Sequence, residues 1–187
     1  WAGIVYLFRA GVGGLSATPS WSVVCDQPDT VFGEALASAG DVNGDGYDDI
    51  IVGDSFYDQA AGHRGAAFVY LGSATGLASD VHLQVSGETA SDALGWDVST
   101  AGDVTGEGYD EIDIENYSYG NTEAFEGIVY VYLGSSGGLP ASPSWQVESD
   151  RENGTLGRGL ASAGDVNADG YDDLLVGAYA WSNDQSV

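Results

Sequence analysis

Basic side chains are nearly missing from this sequence: 187 residues carry 4 Lys+Arg and 2 His against 29 Asp+Glu, a formal charge of -25. A field of that sign repels phosphate backbones and anionic bilayers, so nucleic acid and membrane are excluded as partners and a cation is the natural one. Long apolar runs are missing too, since none approaches the roughly 20 residues that span a bilayer. The opening stretch from Trp1 has neither an initiator Met nor the charged start of a signal peptide, so the chain is expected to be processed, excised or truncated. With one cysteine there is no intrachain disulfide, and Cys25 reads as a small buried apolar residue. No stretch reads as a helix. His63 and His82 have no histidine counterparts at the repeat spacing described below, so both read as surface residues. No third group or Gly-rich oxyanion loop accompanies Cys25 and His63, which leaves nucleophilic catalysis without a constellation.

What the sequence does contain, it contains three times. "GDVNGDGYDDIIVG" from Gly40 returns as "GDVTGEGYDEIDIE" from Gly102 and "GDVNADGYDDLLVG" from Gly164, a spacing of 62 residues each time. "GIVYLF" from Gly3, "GAAFVYLG" from Gly65 and "GIVYVYLG" from Gly127 keep the same register. The chain therefore reads as one repeat array over 1–187, with units 1–62, 63–124 and 125–186. Short apolar and β-branched runs alternate with Gly, Ser, Asp and Pro clusters, giving four strands per unit, in the middle of the chain about 66–71, 81–85, 97–101 and 112–115. Four strands at a strict period predict an all-β propeller of four-stranded blades; a β-sandwich of irregular strands is the alternative, and the period argues against it.

Each acidic loop places oxygen-bearing residues at alternate positions. In the first, Asp41, Asn43, Asp45, Tyr47 and Asp49 stand at positions 1, 3, 5, 7 and 9, with Gly46 at 6. That pattern supplies the six to eight oxygens a hard cation such as Ca2+ requires, with the main-chain carbonyl serving at position 7. An EF-hand is excluded: its position 12 needs a bidentate Glu, and here Val52, Ile114 and Val176 stand there. The other reading is that Asp- and Gly-rich turns terminate strands without metal. Asp48, Asp110 and Asp172, at position 8, are expected to face water.

The order Phe32-Gly33, DxNxDGxxD loop, Val52-Gly53 resembles the FG-GAP repeat of integrin alpha-subunit β-propellers. The resemblance implies that the loop joins the first two strands of a blade. It implies calcium held by Asp41, Asn43, Asp45, Asp49 and the carbonyl of Tyr47, and likewise by Asp165, Asn167, Asp169, Tyr171 and Asp173. The middle loop (Asp103, Thr105, Glu107, Tyr109 and Glu111) departs, with longer carboxylates that put weaker or absent binding in view. On this alignment the chain holds whole blades at about 35–85 and 97–148 and half-blades at 1–25 and 159–181. The halves are complementary, so a homodimer sharing strands between chain ends would form a six-bladed ring, and a fragment of a longer propeller is the rival.

Tyr57, Tyr119 and Trp181 recur in register and are candidate ligand-facing aromatics, with wedging between blades as the other reading. The function expected is a non-catalytic calcium-binding scaffold for protein or carbohydrate recognition or adhesion, extracellular or at the cell surface. Alternatives are an amplified or engineered propeller whose role is self-assembly, or the propeller portion of a larger extracellular enzyme.

Overall fold

A computed structural model describes residues 2–58, 62–121 and 123–180. Among these residues the chain is all β, and no helix is long and apolar enough to cross a membrane. β1 (Ile4–Leu7) pairs antiparallel with β4 (Trp21–Val24), and a small hairpin, β2 (Ala10–Gly11) with β3 (Gly14–Leu15), bulges from the connection between them. That hairpin was not expected from the sequence; Val12 and Gly13 form its turn, and Gly14, at φ +92°, lets the chain re-enter the sheet.

Two four-stranded antiparallel sheets follow. The first runs β5 (Ala35–Gly40), β6 (Asp49–Asp54), β7 (Ala66–Tyr70), β8 (Leu83–Ser86) in spatial order. The second repeats it with β9 (Val98–Gly102), β10 (Glu111–Asn116), β11 (Ile128–Tyr132) and β12 (Trp145–Glu148). A two-stranded sheet of β13 (Leu156–Gly164) and β14 (Asp173–Ala178) comes last. The meander order, with each strand beside the next, is that of propeller blades. The first strands β5, β9 and β13 lie against one another in sequence order, so the sheets stack face to face around them.

The sheets are covered on both faces, which is why their middle strands are so apolar. Ile51, Ala67 and Val69 of the first sheet pack with Ile112, Ile114 and Tyr132 of the second in one core. Val52, Phe68 and Tyr70 look the other way and pack with Val5, Cys25 and Phe32 in a second core. Cys25 is free and buried there. Fully burying such side chains contributes roughly 1.5–3 kcal/mol apiece.

Candidate metal loops

Each acidic loop begins with a β-bulge that turns the chain out of the sheet. The register of β5 against β6 slips between Ser38 and Gly40, and that of β13 against β14 between Ser162 and Gly164. Gly40, Gly102 and Gly164 take positive φ of 71°, 77° and 64°, and their N–H groups donate to the hydroxyls of Ser38, Thr100 and Ser162. A side chain is strained at such φ, so glycine is what delivers the following aspartate into the loop.

The three loops then fold on one plan. The position 1 carboxylate gathers backbone amides: Asp41 accepts from Asp45 at 3.0 Å and Gly46 at 2.7 Å, and Asp165 from Asp169 at 3.1 Å and Gly170 at 2.8 Å. Asp103 accepts from Gly106, Glu107 and Gly108. At position 5, Asp45 and Asp169 accept the amides of Tyr47 and Tyr171, and the amides of Asn43 and Asn167 reach back to these same carboxylates. Thr105 places its hydroxyl 3.4 Å from Asp103 Oδ1. The amides gathered by Asp165, Gly170 first, hold its carboxyl below the usual carboxylate range.

Position 9 ties the loop to the sheet. Asp49 accepts from Val42 at 3.0 Å and from Gly72, just past β7, at 2.7 Å; Glu111 accepts from Val104 and Gly134 in the same way, and Asp173 from Val166. Asp49 and Glu111 are wholly buried. Burial pushes Asp49 up to about 6 against the bonds from Gly72 and Val42, and the charges of Asp45 and Asp41 push the same way. Burial likewise takes Glu111 to about 7. The donor set of each loop is therefore all oxygen, rich in carboxylate, with no basic residue between positions 1 and 9. That chemistry fits a hard divalent cation, and the residues of loops one and three fit it alike.

Position 8 does something that the sequence reading missed. Asp110 Oδ2 accepts the N–H of Asp41 at 2.7 Å and Asp172 Oδ2 that of Asp103 at 3.1 Å, while the amides of Asp110 and Asp172 donate to the carbonyls of Asp41 and Asp103. Two of the three position 8 residues thus bridge to the preceding loop, where water had been expected; Asp48 alone of the three is exposed. A Cβ on Gly40 would lie 2.2 Å from Asp110 Oδ2, and one on Gly102 2.1 Å from Asp172 Oδ2. The Tyr109 and Tyr171 rings pack on Gly44 and Gly106 of the preceding loop.

The remaining candidates separate. Tyr57 is buried, edge-on to Phe68 with ring centroids 5.1 Å apart, and its hydroxyl lies 3.3 Å from Asp26 Oδ1. Tyr119 is half-buried beside a cleft, and Trp181 lies outside the described residues. His63 is half-buried, edge-on to the Phe56 ring, and His82 is exposed. One further acidic group was not foreseen: carboxylate oxygens of Glu126, Glu148 and Asp150 lie within 4.8 Å of one another, away from the loops.

A family model described as FG-GAP repeat matches residues 32–70 and 157–187. Integrin alpha-3 of Cricetulus griseus is 34% identical over 155 residues, covering 79% of this chain and 14% of that protein. Integrin alpha-IIb of Homo sapiens is 33% identical over 164 residues, covering 82% and 15%, and integrin alpha-5 of Xenopus laevis 28% over 185 residues, covering 94% and 17%. The chain thus spans less than a fifth of the length of these relatives. With its blade order, its bulged loops and its Phe-Gly and Val-Gly elements in sequence, the chain is an FG-GAP repeat protein that resembles the β-propellers of integrin alpha subunits.

Proposed function

We propose that the chain is a calcium-stabilised recognition scaffold, non-catalytic and working outside the cell or at its surface. The observation that carries this is the plan shared by loops one and three: the position 1 carboxylate gathers the amides of the turn, and the position 3 amide bonds the position 5 carboxylate, so an all-oxygen donor set is held in one turn. Asp41, Asn43, Asp45, Asp49 and the carbonyl of Tyr47 would hold one ion, and Asp165, Asn167, Asp169, Asp173 and the carbonyl of Tyr171 another. Asp103, Thr105, Glu107, Glu111 and the carbonyl of Tyr109 form the weaker third set. Bound calcium supplies charge neutralisation and nothing redox. The integrin relatives support an extracellular or cell-surface setting, where calcium suffices for modules that bind at about 10⁻⁴–10⁻³ M. They also support recognition of a protein ligand, and a glycan is the other ligand class that the scaffold reading admits. Thermal unfolding with calcium and with chelator tests the reading: a calcium-dependent rise in Tm supports it, and identical curves contradict it.

A second reading is that the position 8 bridge continues at the two outer loops, to another copy of the chain or to a further repeat. Nothing lies within 4 Å of a Cβ on Gly164, where Gly40 and Gly102 meet an aspartate, and Asp48 is exposed. Asp48 of one copy docking on the Asp165 amide of another would join β14 to the β1–β4 sheet in a blade, and two copies would close a six-bladed ring. Sedimentation of the wild type against Asp48→Ala tests the pairing of copies: a dimer that the substitution weakens supports it, and a monomer in both contradicts it.

A further inference from the structure

Two adjoining cavities of about 390 and 210 Å³ open between the first and second four-stranded sheets, and they share Glu88, Asp92, Tyr119 and Tyr130. We propose that this inter-blade cleft is a binding site for a neutral polyhydroxylated ligand, a carbohydrate in chemical class. The proposal deepens the recognition reading above and rests on it.

The preceding interface shows what the repeat does when it is not hollow. There the counterparts of Tyr119 and Tyr130 are Tyr57 and Phe68, both buried edge to face in one core with Cys25. One unit later Gly87 stands where Cys25 stood, and Phe68 has become Tyr130. The two tyrosines are half-buried rather than buried, and open space lies beside their rings. Sequence change at the same repeat positions has replaced packing with a cleft and added a hydroxyl to its wall. Burial pushes the Tyr130 hydroxyl well above the ordinary tyrosine range, so it stays a hydrogen-bond donor.

The lining decides the ligand class. No Lys, Arg or His lines either cavity, so an anion finds no partner. Asp92 already accepts the N–H and the hydroxyl of Thr89 at 2.9 and 2.7 Å. Glu88 stands exposed, and much of the remaining polar lining is neutral, including the amides of Gln84 and Gln146. Planar amides offer a donor and an acceptor side by side to neighbouring hydroxyls, and a tyrosine face takes the C–H face of a sugar ring. Together the cavities fall in the range that small-molecule sites occupy, about 300–1,000 Å³.

The test is saturation-transfer NMR on the full chain with methyl glucoside, methyl galactoside, N-acetylglucosamine and lactose as probes, and N-acetyl-lysine methylamide as the cationic comparison. Wild type, Tyr130→Phe and Gln146→Ala are compared; Tyr130→Phe installs the residue that the preceding unit carries, so the fold survives it. The expected result is saturable binding of at least one sugar, weakened about three- to tenfold by Tyr130→Phe. Absence of sugar binding by folded protein, sugar binding unchanged in both variants, or binding of the lysine probe alone overturns the proposal. Calcium melting curves on the same samples separate the two readings. A calcium shift without sugar binding overturns the cleft and leaves the scaffold standing; sugar binding without a calcium shift supports the cleft and removes the calcium.

Discussion

Asp110 Oδ2 accepts the backbone N–H of Asp41 at 2.7 Å, across 69 residues of sequence and from one blade to the next. Asp172 repeats the bond to Asp103 one unit later. The acidic loops therefore join neighbouring blades as well as presenting oxygens. A charged acceptor on a backbone amide contributes about 1.5–3 kcal/mol when shielded, and half-exposure of Asp110 discounts that to about 1–2 kcal/mol. Asp110→Ala should lower Tm by about 3–6 °C. An unchanged Tm would mean that the bridge contributes nothing.

Gly40 and Gly164 separate strain from contact. Both have positive φ, and only Gly40 would drive a Cβ into Asp110. Gly40→Ala should therefore destabilise clearly more than Gly164→Ala, by denaturant unfolding. In the double variant Gly40→Ala with Asp110→Gly the losses should fall short of additive, because removing the whole Asp110 side chain, its Cβ included, relieves the clash. Equal costs for the two glycines would contradict the contact.

The middle blade carries an unusual charge burden. Both oxygens of Asp113 and both of Glu115 are buried without a hydrogen-bond partner. Burial pushes Asp113 to about 7 and Glu115 to about 8, with the charge of Asp97 adding in the same direction. Folded pKa values above the unfolded ones mean that this contribution to stability is fully present below about pH 4. It is lost as pH rises through about 8. Glu115→Gln should raise Tm at pH 8.5 and change it little at pH 5, so the difference between variant and wild type grows with pH. A difference that is flat from pH 5 to 9 would contradict the burial.

Much of the loop chemistry was legible because it is local: Asp41, Asn43 and Asp45 alternate within five residues, and the period displays the pattern three times. The blade order was legible for the same reason, since each strand pairs with the next. The Asp110 bridge was hidden because its partner lies in the preceding unit, and no local pattern distinguishes an aspartate facing water from one facing another loop. The burial of Asp113 and Glu115 was hidden for a different reason. Alternation with Ile112 and Ile114 reads as a strand with one wet face, whereas blades cover both faces and bury whatever stands there. The cleft beside Tyr119 was half visible: register marked the tyrosine, and only packing separated it from Tyr57.

The most direct test of the central claim counts ions. Native mass spectrometry of the chain in calcium, repeated with Asp45→Asn and Asp169→Asn, reads occupancy loop by loop. The account predicts about two ions per chain with a third weaker one, and one fewer ion in each variant. A wild-type chain that is folded and carries no calcium at millimolar concentration would contradict it, leaving the three loops as turns that latch blades without metal.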